Sequence, residues 1–459
     1  MFFKQQHLHF VGIAGIGMSG IAEVLLNLGY RISGSDLKLS PLTERLSGMG
    51  ARISAGHAAA NVGEAQAVVV SSAVAAGNPE VLEARRLGIP VIPRGELLAE
   101  LMRLKYGIAV AGSHGKTTTT SLTAAVLSHA GLDPTVVVGG RVGMMGGSNA
   151  RVGQSEILLV ESDESDGSFL KLAPIVAIVT NIDREHLDHY SNLEEIRRAF
   201  TDFINKVPFY GVAVLCLDDE NIQQVLPQVK RRVLTYGTSA QADLVIRDAR
   251  YGHLVSQFSL ELRGHDLGEF EVPLPGMHNV LNATAAVAVG LELQLTPEQI
   301  AAGLKSFTGV DRRFQVRGEA AGVTVIDDYG HHPTEVRATL DAARRCRFGR
   351  VHVLFQPHRY SRTHHLMDEF ARAFHQADDV YITDVYAASE QPIEGATGDA
   401  LARRLRDFGH RGASYVGTLE AGVERVTEQA KVGDVIITLG AGNVSQAGDL
   451  ILARLRDRT

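Results

Sequence analysis

Val110-Ala111-Gly112-Ser113-His114-Gly115-Lys116-Thr117 is the stretch that decides the fold. It joins a short apolar run, Ile108 to Ala111, to a helix-period segment, Thr117 to Ala130, through a glycine-rich turn. A buried strand that turns tightly into a helix is half of a βα unit. Backbone N–H groups at such a turn, at a helix N-terminus, form an anion site. Lys116 can reach the outer phosphates of a nucleotide, and the Thr117 hydroxyl suits Mg²⁺. The usual loop carries glycine where Val110 stands, so the spacing departs from the standard pattern. The plain alternative is an ordinary turn with a surface lysine. The strand on one side and the helix on the other favour the phosphate reading.

Outward from this loop, short apolar runs alternate with helix-period segments, which predicts α/β architecture with buried parallel strands. Strands are expected at His7 to Ile13, Tyr30 to Gly34, Ala67 to Ser71 and, beyond the loop, Ile157 to Glu161 and Ile175 to Asn181. Asn78-Pro79 reads as a helix start, with the cap followed by proline. Ser191 and Glu194 read as a capping box, and so do Thr296 and Gln299. Ser256 to Leu262 alternates, which suggests an antiparallel patch. Val323 to Asp327, Arg350 to Phe355, Asp379 to Thr383 and Asp434 to Leu439 make a third set of strands. Polar joints at 103–107 and 308–314 divide the chain into 1–105, 106–312 and 313–459. The first and third parts are expected to be Rossmann-like, and the central part a P-loop ATPase-like mixed sheet with helices.

Four further motifs carry chemistry. Gly15-Ile16-Gly17-Met18-Ser19-Gly20 fits GxGxxG between strand and helix, with Asp36 at the end of the next strand. Alone it suits NAD, FAD or any diphosphate, and tight helix–sheet packing would also explain it. Glu161-Ser162-Asp163-Glu164-Ser165-Asp166 follows a strand directly. Glu161, nearest the strand end, is the metal-ligand candidate, and the others read as a solvated acidic loop. His186, after Ile175 to Asn181, sits at an equivalent strand end and is a second ligand candidate. In Pro275-Gly276-Met277-His278-Asn279-Val280-Leu281-Asn282, His278 and Asn282 share a face if a helix starts here. Asn amides suit an adenine edge or a ribose, although capping alone would explain Asn279. Last, Asp327-Asp328-Tyr329-Gly330-His331-His332-Pro333-Thr334-Glu335 and His358-Arg359-Tyr360-Ser361-Arg362 follow two strands that are expected to be adjacent. Arginine forks there suit carboxylates and phosphates.

Taken together, these motifs resemble the Mur ligases, the amino-acid-adding enzymes of bacterial cell-wall synthesis. The likeness covers essentially the whole chain, with the 112–117 loop, the Glu161 segment, His186, His278 to Asn282 and Arg312-Arg313-Phe314 in family order. Gly15 to Gly20, Asp327 to Glu335 and Pro357 to Thr363 most resemble the members that join L-alanine to UDP-N-acetylmuramate. No DNPR-like motif of the diaminopimelate-adding members is present. The resemblance implies an ATP-dependent ligase that passes through an acyl phosphate, with Mg²⁺ or Mn²⁺. It implies UDP-sugar contacts at Gly15, Ile16, Gly17, Met18, Ser19, Ser35, Asp36, Ser71 and Ser72. ATP contacts would fall at Gly112, Ser113, His114, Gly115, Lys116, Thr117, Thr118, Asn279, Asn282, Arg313 and Asp328. Thr117, Glu161 and His186 would hold the metal, and Tyr329, His331, Arg359 and Arg362 would frame the alanine. Lys116, His186, Glu161, His331 and Arg359 would carry the catalysis. Several members carry a carbamylated lysine about fifteen residues after His186. Here that region reads Phe200-Thr201-Asp202, and Lys206 falls a turn too late.

Composition sets the outer bounds. The 459 residues carry a net charge of −7, which argues against nucleic acid as a partner. Two cysteines without CxxC spacing suit a reducing compartment. Neither a secretory h-region nor a long apolar run appears, so a cytoplasmic protein without membrane insertion is expected, as monomer or homodimer. Three rivals remain open. A sibling ligase that joins a recovered cell-wall peptide to UDP-N-acetylmuramate differs only in its amine. An NAD-dependent oxidoreductase leaves the Lys116 loop unexplained. A nucleotide switch without chemistry leaves the Tyr329 to Arg362 cluster unexplained.

Overall fold

Three β-sheets carry the chain in sequence order, in a computed structural model that describes residues 6–71, 73–142, 148–186 and 189–458. The first sheet is parallel throughout, in the order Arg52–Ala55, Arg31–Asp36, His7–Val11, Ala67–Val70, Val91–Pro93. Strand order reverses beside His7–Val11, and ligands of such sheets bind outside the strand C-termini at that point. Gly15 stands at the N-cap of helix Ile16–Asn27, at this same edge. Asn78 caps helix Pro79–Arg86 by accepting from Glu80 N at 2.9 Å, as the sequence predicts.

The second sheet has ten strands. Its parallel centre runs Val233–Gly237, Val212–Cys216, Val176–Val179, Tyr106–Ala111, Ile157–Glu161, Thr135–Val142. Tyr106–Ala111 lies between Val176–Val179 and Ile157–Glu161, so three strand ends meet at the glycine loop. Leu244–Tyr251 joins Val233–Gly237 in parallel, and Ser256–Leu262 and His265–Val272 extend that side through connections too short for a parallel crossover, which gives the predicted antiparallel patch. Packed beside the centre, Phe169 sits 5.2 and 5.1 Å from Phe200 and Phe203, each ring worth about 2–3 kcal/mol of burial.

The third sheet runs Gln315–Ala320, Val323–Asp328, Val435–Leu439, Val351–Phe355, Asp379–Thr383, Ala413–Gly417, with only the first pair antiparallel. Val323–Asp328 and Val351–Phe355 are therefore not adjacent, contrary to the sequence expectation. The last strand of the chain inserts between them, a long-range pairing that no local pattern encodes. A second correction concerns helix Leu193–Ile204. Its cap is Asn192, which accepts from Glu195 N at 3.0 Å, while Glu195 Oε2 accepts from Ser191 N at 2.8 Å. The cap lies one residue later than Ser191 because asparagine is as good a cap as serine. Thr296 and Gln299 form their box as expected.

The chain divides into two compact units. One runs to Asp248 and includes Phe258–Phe270 and Leu281–Thr308; the other comprises Ala249–Gln257, Glu271–Val280 and the described residues from Gly309 on. No helix among the described residues is long and apolar enough to cross a membrane.

Candidate active site

In the first unit, the loop after Tyr106–Ala111 is held by the neighbouring strand end. Gly112 has φ +133°, and a Cβ there would lie 2.1 Å from Thr180 Oγ1. Gly115, with φ +82°, caps helix Lys116–His129, and a Cβ there would lie 2.5 Å from Asn282 Oδ1. Both positions need glycine for backbone geometry and for space. Asn181 Oδ1 accepts from His114 N at 2.8 Å, and Asp183 N donates to Ser113 Oγ at 2.7 Å. His114 Nε2 meets Asp183 Oδ2 at 2.9 Å. Thr117 and Thr118 are buried in the first helical turn.

Lys116 Nζ donates to Gly112 O at 2.6 Å, Ser113 O at 3.1 Å and Glu164 Oε1 at 2.7 Å. Burial works against its charge, but the Glu164 carboxylate holds the ammonium above its ordinary pKa. Thr117 Oγ1 donates to Glu161 Oε1 at 2.9 Å, so the two expected metal ligands meet. His186, with φ +54°, places Nε2 3.2 Å from Glu164 Oε1 and 3.8 Å from Glu185 Oε2. Burial lowers its pKa, yet the Glu164 hydrogen bond leaves it raised overall. The acidic segment is thus no solvated loop. Glu164 is buried between Lys116 and His186, and Asp163 pairs with Arg94 at 3.1 Å. Glu164, Glu185 and His186 bring one ligand atom each within 4.8 Å of one another. Glu164 Oε2 is buried without a hydrogen-bond partner. Carboxylate oxygens, a threonine hydroxyl and an imidazole suit a divalent cation such as Mg²⁺ or Mn²⁺.

A cavity of about 380 Å³ joins this loop to the N-terminal glycine turn. Gly15, Gly17, Met18 and Ser71 line it from one side, Lys116 and Glu161 from the other. Arg94 closes part of its wall: a Cβ on Gly17 would lie 2.9 Å from Arg94 Nη1. Ile16 opens the helix and Ser19 is buried in its first turn. Asp36 Oδ2 accepts from Ala14 N at 2.9 Å and so clamps the turn. Ser35 is buried, its hydroxyl set between His57 Nδ1 at 2.8 Å and Glu80 Oε2 at 2.5 Å. Burial opposes ionisation of Glu80, but bonds from His9, Ser35 and Asn61 bring it down to about 2. Ser72 lies outside the described residues. Helix Met277–Glu292 carries both asparagines. Asn282 Oδ1 accepts from Thr119 Oγ1 at 3.1 Å beside Gly115, whereas Asn279 Nδ2 donates to Pro275 O at 2.8 Å.

In the second unit, two of the expected amino-acid residues, Tyr329 and His331, join His358 and Tyr386 in a row of rings along the strand C-termini. Tyr329 lies 5.2 Å from His331, His331 5.9 Å from His358, and His358 stacks on Tyr386 at 5.6 Å. Arg312 and Arg313 sit over the Tyr329 ring at 4.8 and 5.1 Å. Arg362 Nη1 lies 3.2 Å from His358 Nδ1. Burial, with His331, Arg362 and Arg359 nearby, brings His358 down to about 3, so its ring is neutral and accepts from Arg362. Arg359 takes φ +69° at the start of helix Tyr360–His365. Asp328 lies beneath the row: Oδ2 accepts from Phe314 N at 2.7 Å, Oδ1 from Gly330 N at 2.8 Å. Burial pushes its carboxyl up to about 6. The turn after Val435–Leu439 completes the site, with Gly440 O accepting from Arg312 Nη2 at 2.5 Å. Sequence reasoning missed this turn, Glu164, Glu185, Arg94 and Glu80. Only the glycine pair at 440 and 442 carried a usable signal.

Family models match the chain in three consecutive segments: the Mur ligase family catalytic domain at 7–106, the Mur ligase middle domain at 110–290, and the Mur ligase glutamate ligase domain at 312–442. A UDP-N-acetylmuramate–L-alanine ligase of Solibacter usitatus (strain Ellin6076) is 67% identical over 456 residues, covering 99% of this chain and 97% of its own. The chain belongs to the Mur ligase family. A second Mur ligase of the same description, from Koribacter versatilis (strain Ellin345), is 57% identical over 99% of this chain and 98% of its own. The crystal structure of the UDP-N-acetylmuramate-alanine ligase of Thermotoga maritima superposes with a TM-score of 0.81 at 29% identity, covering 99% of this Mur ligase and 100% of that one. A murein peptide ligase of Psychrobacter arcticus 273-4 shares the fold, with a TM-score of 0.69 at 22% identity, covering 98% of this chain and 99% of that one.

Proposed function

We infer that this Mur ligase joins L-alanine to the carboxylate of UDP-N-acetylmuramate at the cost of ATP, in peptidoglycan precursor synthesis. The observation that carries the reading is the cavity shared by Gly15, Gly17, Lys116 and Glu161. A diphosphate on the N-terminal turn places its sugar toward the group that binds the ATP phosphates. Residues 1–105 hold the UDP-sugar, 106–312 the ATP, and 313–459 the amino acid.

The carboxylate is a poor electrophile. Its oxygen attacks the γ-phosphorus of ATP, ADP leaves, and an acyl phosphate forms. Lys116 and the amides of residues 113–117 stabilise the charge that moves in this step, which is mostly electrostatic work. In the free protein Glu164 and two loop carbonyls hold the Lys116 ammonium, so the phosphates take over a charge already in place. Thr117, Glu161 and His186 would hold the Mg²⁺ or Mn²⁺, with Glu164 and Glu185 beside them. When bound, the cation supplies positive charge to the phosphate oxygens. Arg359 and Arg362 hold the alanine carboxylate, Tyr329 and His331 flank it, and Asn282, beside Gly115, faces the nucleotide. The neutral amine then attacks the acyl carbon, and collapse of the tetrahedral adduct breaks the C–O bond to phosphate while the amine proton passes to the departing phosphate or to water. The cytoplasm supplies all three substrates.

The test is phosphate release from ATP with Mg²⁺ and UDP-N-acetylmuramate, with and without L-alanine. Release only when all are present, with a product heavier by one alanyl residue, supports the reading. Release with a cell-wall tripeptide but not with alanine moves the enzyme to the recycling sibling.

A further inference from the structure

We propose that Tyr386 is a specificity-determining residue that sets the upper size of the amine this ligase accepts. The proposal rests on the reading of the ring row as the alanine site and deepens it. The Tyr386 ring lies face to face with His358, at 5.6 Å and 9°. His358 is itself fixed, by Arg362 at Nδ1 and by His331 at 5.9 Å. The Tyr386 backbone is locked in both directions: its N–H donates to Pro357 O at 2.8 Å, and its carbonyl accepts from Arg359 N at 2.9 Å. Gly442 stands against the base of the side chain, where a Cβ would lie 2.8 Å from Tyr386 Cγ and 2.3 Å from Gln356 Oε1. The ring is thus braced on one face by His358 and at its base by the 440–442 turn. The loop that carries it is tied down further on, where Glu390 accepts from Ser361 N at 3.0 Å and Ser361 Oγ at 2.6 Å. Yet 40% of Tyr386 remains exposed, so it forms the rim of the site rather than part of the core.

A braced wall discriminates by size. One extra methylene against a rigid apolar surface changes kcat/KM by roughly tenfold to two-hundredfold. A glycine at 442 is what lets the ring stand where it does. Its φ of −81° suits any residue, so the requirement there is space.

The experiment compares kcat/KM for L-valine and L-alanine in the wild-type enzyme, Tyr386→Ala, Tyr386→Phe and Gly442→Ala, with KM for ATP and UDP-sugar measured in each. Tyr386→Ala is expected to raise the valine-to-alanine ratio by about tenfold or more, and Tyr386→Phe to leave it within about twofold, since the ring and not its hydroxyl makes the wall. Gly442→Ala crowds both Gln356 and the base of the ring and lowers kcat/KM for both amino acids, with valine hit harder. Should Tyr386→Ala fail to fold, Tyr386→Leu gives the same comparison with a smaller rise. A ratio unchanged in folded Tyr386→Ala or Tyr386→Leu, with alanine still used by the wild type, overturns this proposal alone. A wild type that makes no product with alanine overturns the function reading and this proposal together.

Discussion

The glycine loop at 112–117 and the ring row from Tyr329 to Tyr386 are both strand-end sites, but they are built by opposite means. The loop is one contiguous segment, and most of its ligand groups are backbone amides fixed by two positive-φ glycines. The ring row comes from turns after strands Val323–Asp328, Val351–Phe355, Asp379–Thr383 and Val435–Leu439, and its ligand groups are side chains. A backbone site is rigid and generic, so it suits a phosphate. A side-chain site is adjustable residue by residue, so it suits the substrate that differs between relatives.

The largest effect should separate the two sites completely. Lys116→Ala is expected to lower phosphate release by about 10²–10³-fold or more, as loss of a preorganised charge does, with UDP-sugar binding by calorimetry unchanged. Loss of that binding breaks the assignment of the N-terminal turn. Gly115→Ala forces a side chain into φ +82° and against Asn282 Oδ1. It should cost about 1–3 kcal/mol of stability and weaken ATP while sparing alanine. Its counterpart in the ring row, Arg362→Lys, loses the planar fork and should raise KM for alanine about tenfold with KM for ATP unmoved. Equal shifts in both constants would mean the two sites are not separable.

The subtlest difference is in pH. Burial raises Asp328 to about 6 from 3.8, so the folded state holds this proton more tightly than the unfolded state does. That stabilisation is full below pH 3.8 and is lost as pH rises through 6. Asp328→Asn carries no such dependence. Between pH 4 and 7 its stability should gain on the wild type by on the order of 3 kcal/mol, read from denaturant midpoints. A difference that stays constant with pH contradicts the buried, proton-holding carboxyl.

What the sequence disclosed follows the same divide. Residues 106–117 were readable because apolar run, glycines and helix period are neighbours in the chain. Thr117 meeting Glu161 was foreseeable, since both strand ends could be placed. Glu164 was not, because nothing local says that the third residue past a strand turns inward onto a lysine 48 positions earlier. Tyr329, His331 and His358 of the ring row were named, but Tyr386 was not among the candidate site residues, and the geometry was misjudged: Val435–Leu439 lies between the two strands that carry the first three. Ser35 was named only through the family resemblance, and its burial between His57 and Glu80 depends on a helix 45 residues away.

The most direct test of the central claim follows one oxygen atom. UDP-N-acetylmuramate labelled with ¹⁸O in its carboxylate is turned over with ATP and L-alanine, and the released phosphate is read by ³¹P NMR. Attack of the carboxylate on the γ-phosphorus, followed by amine attack on carbon, predicts one ¹⁸O in every phosphate from fully labelled substrate. Unlabelled phosphate, formed alongside alanylated product, would contradict an acyl phosphate built at the Lys116 loop.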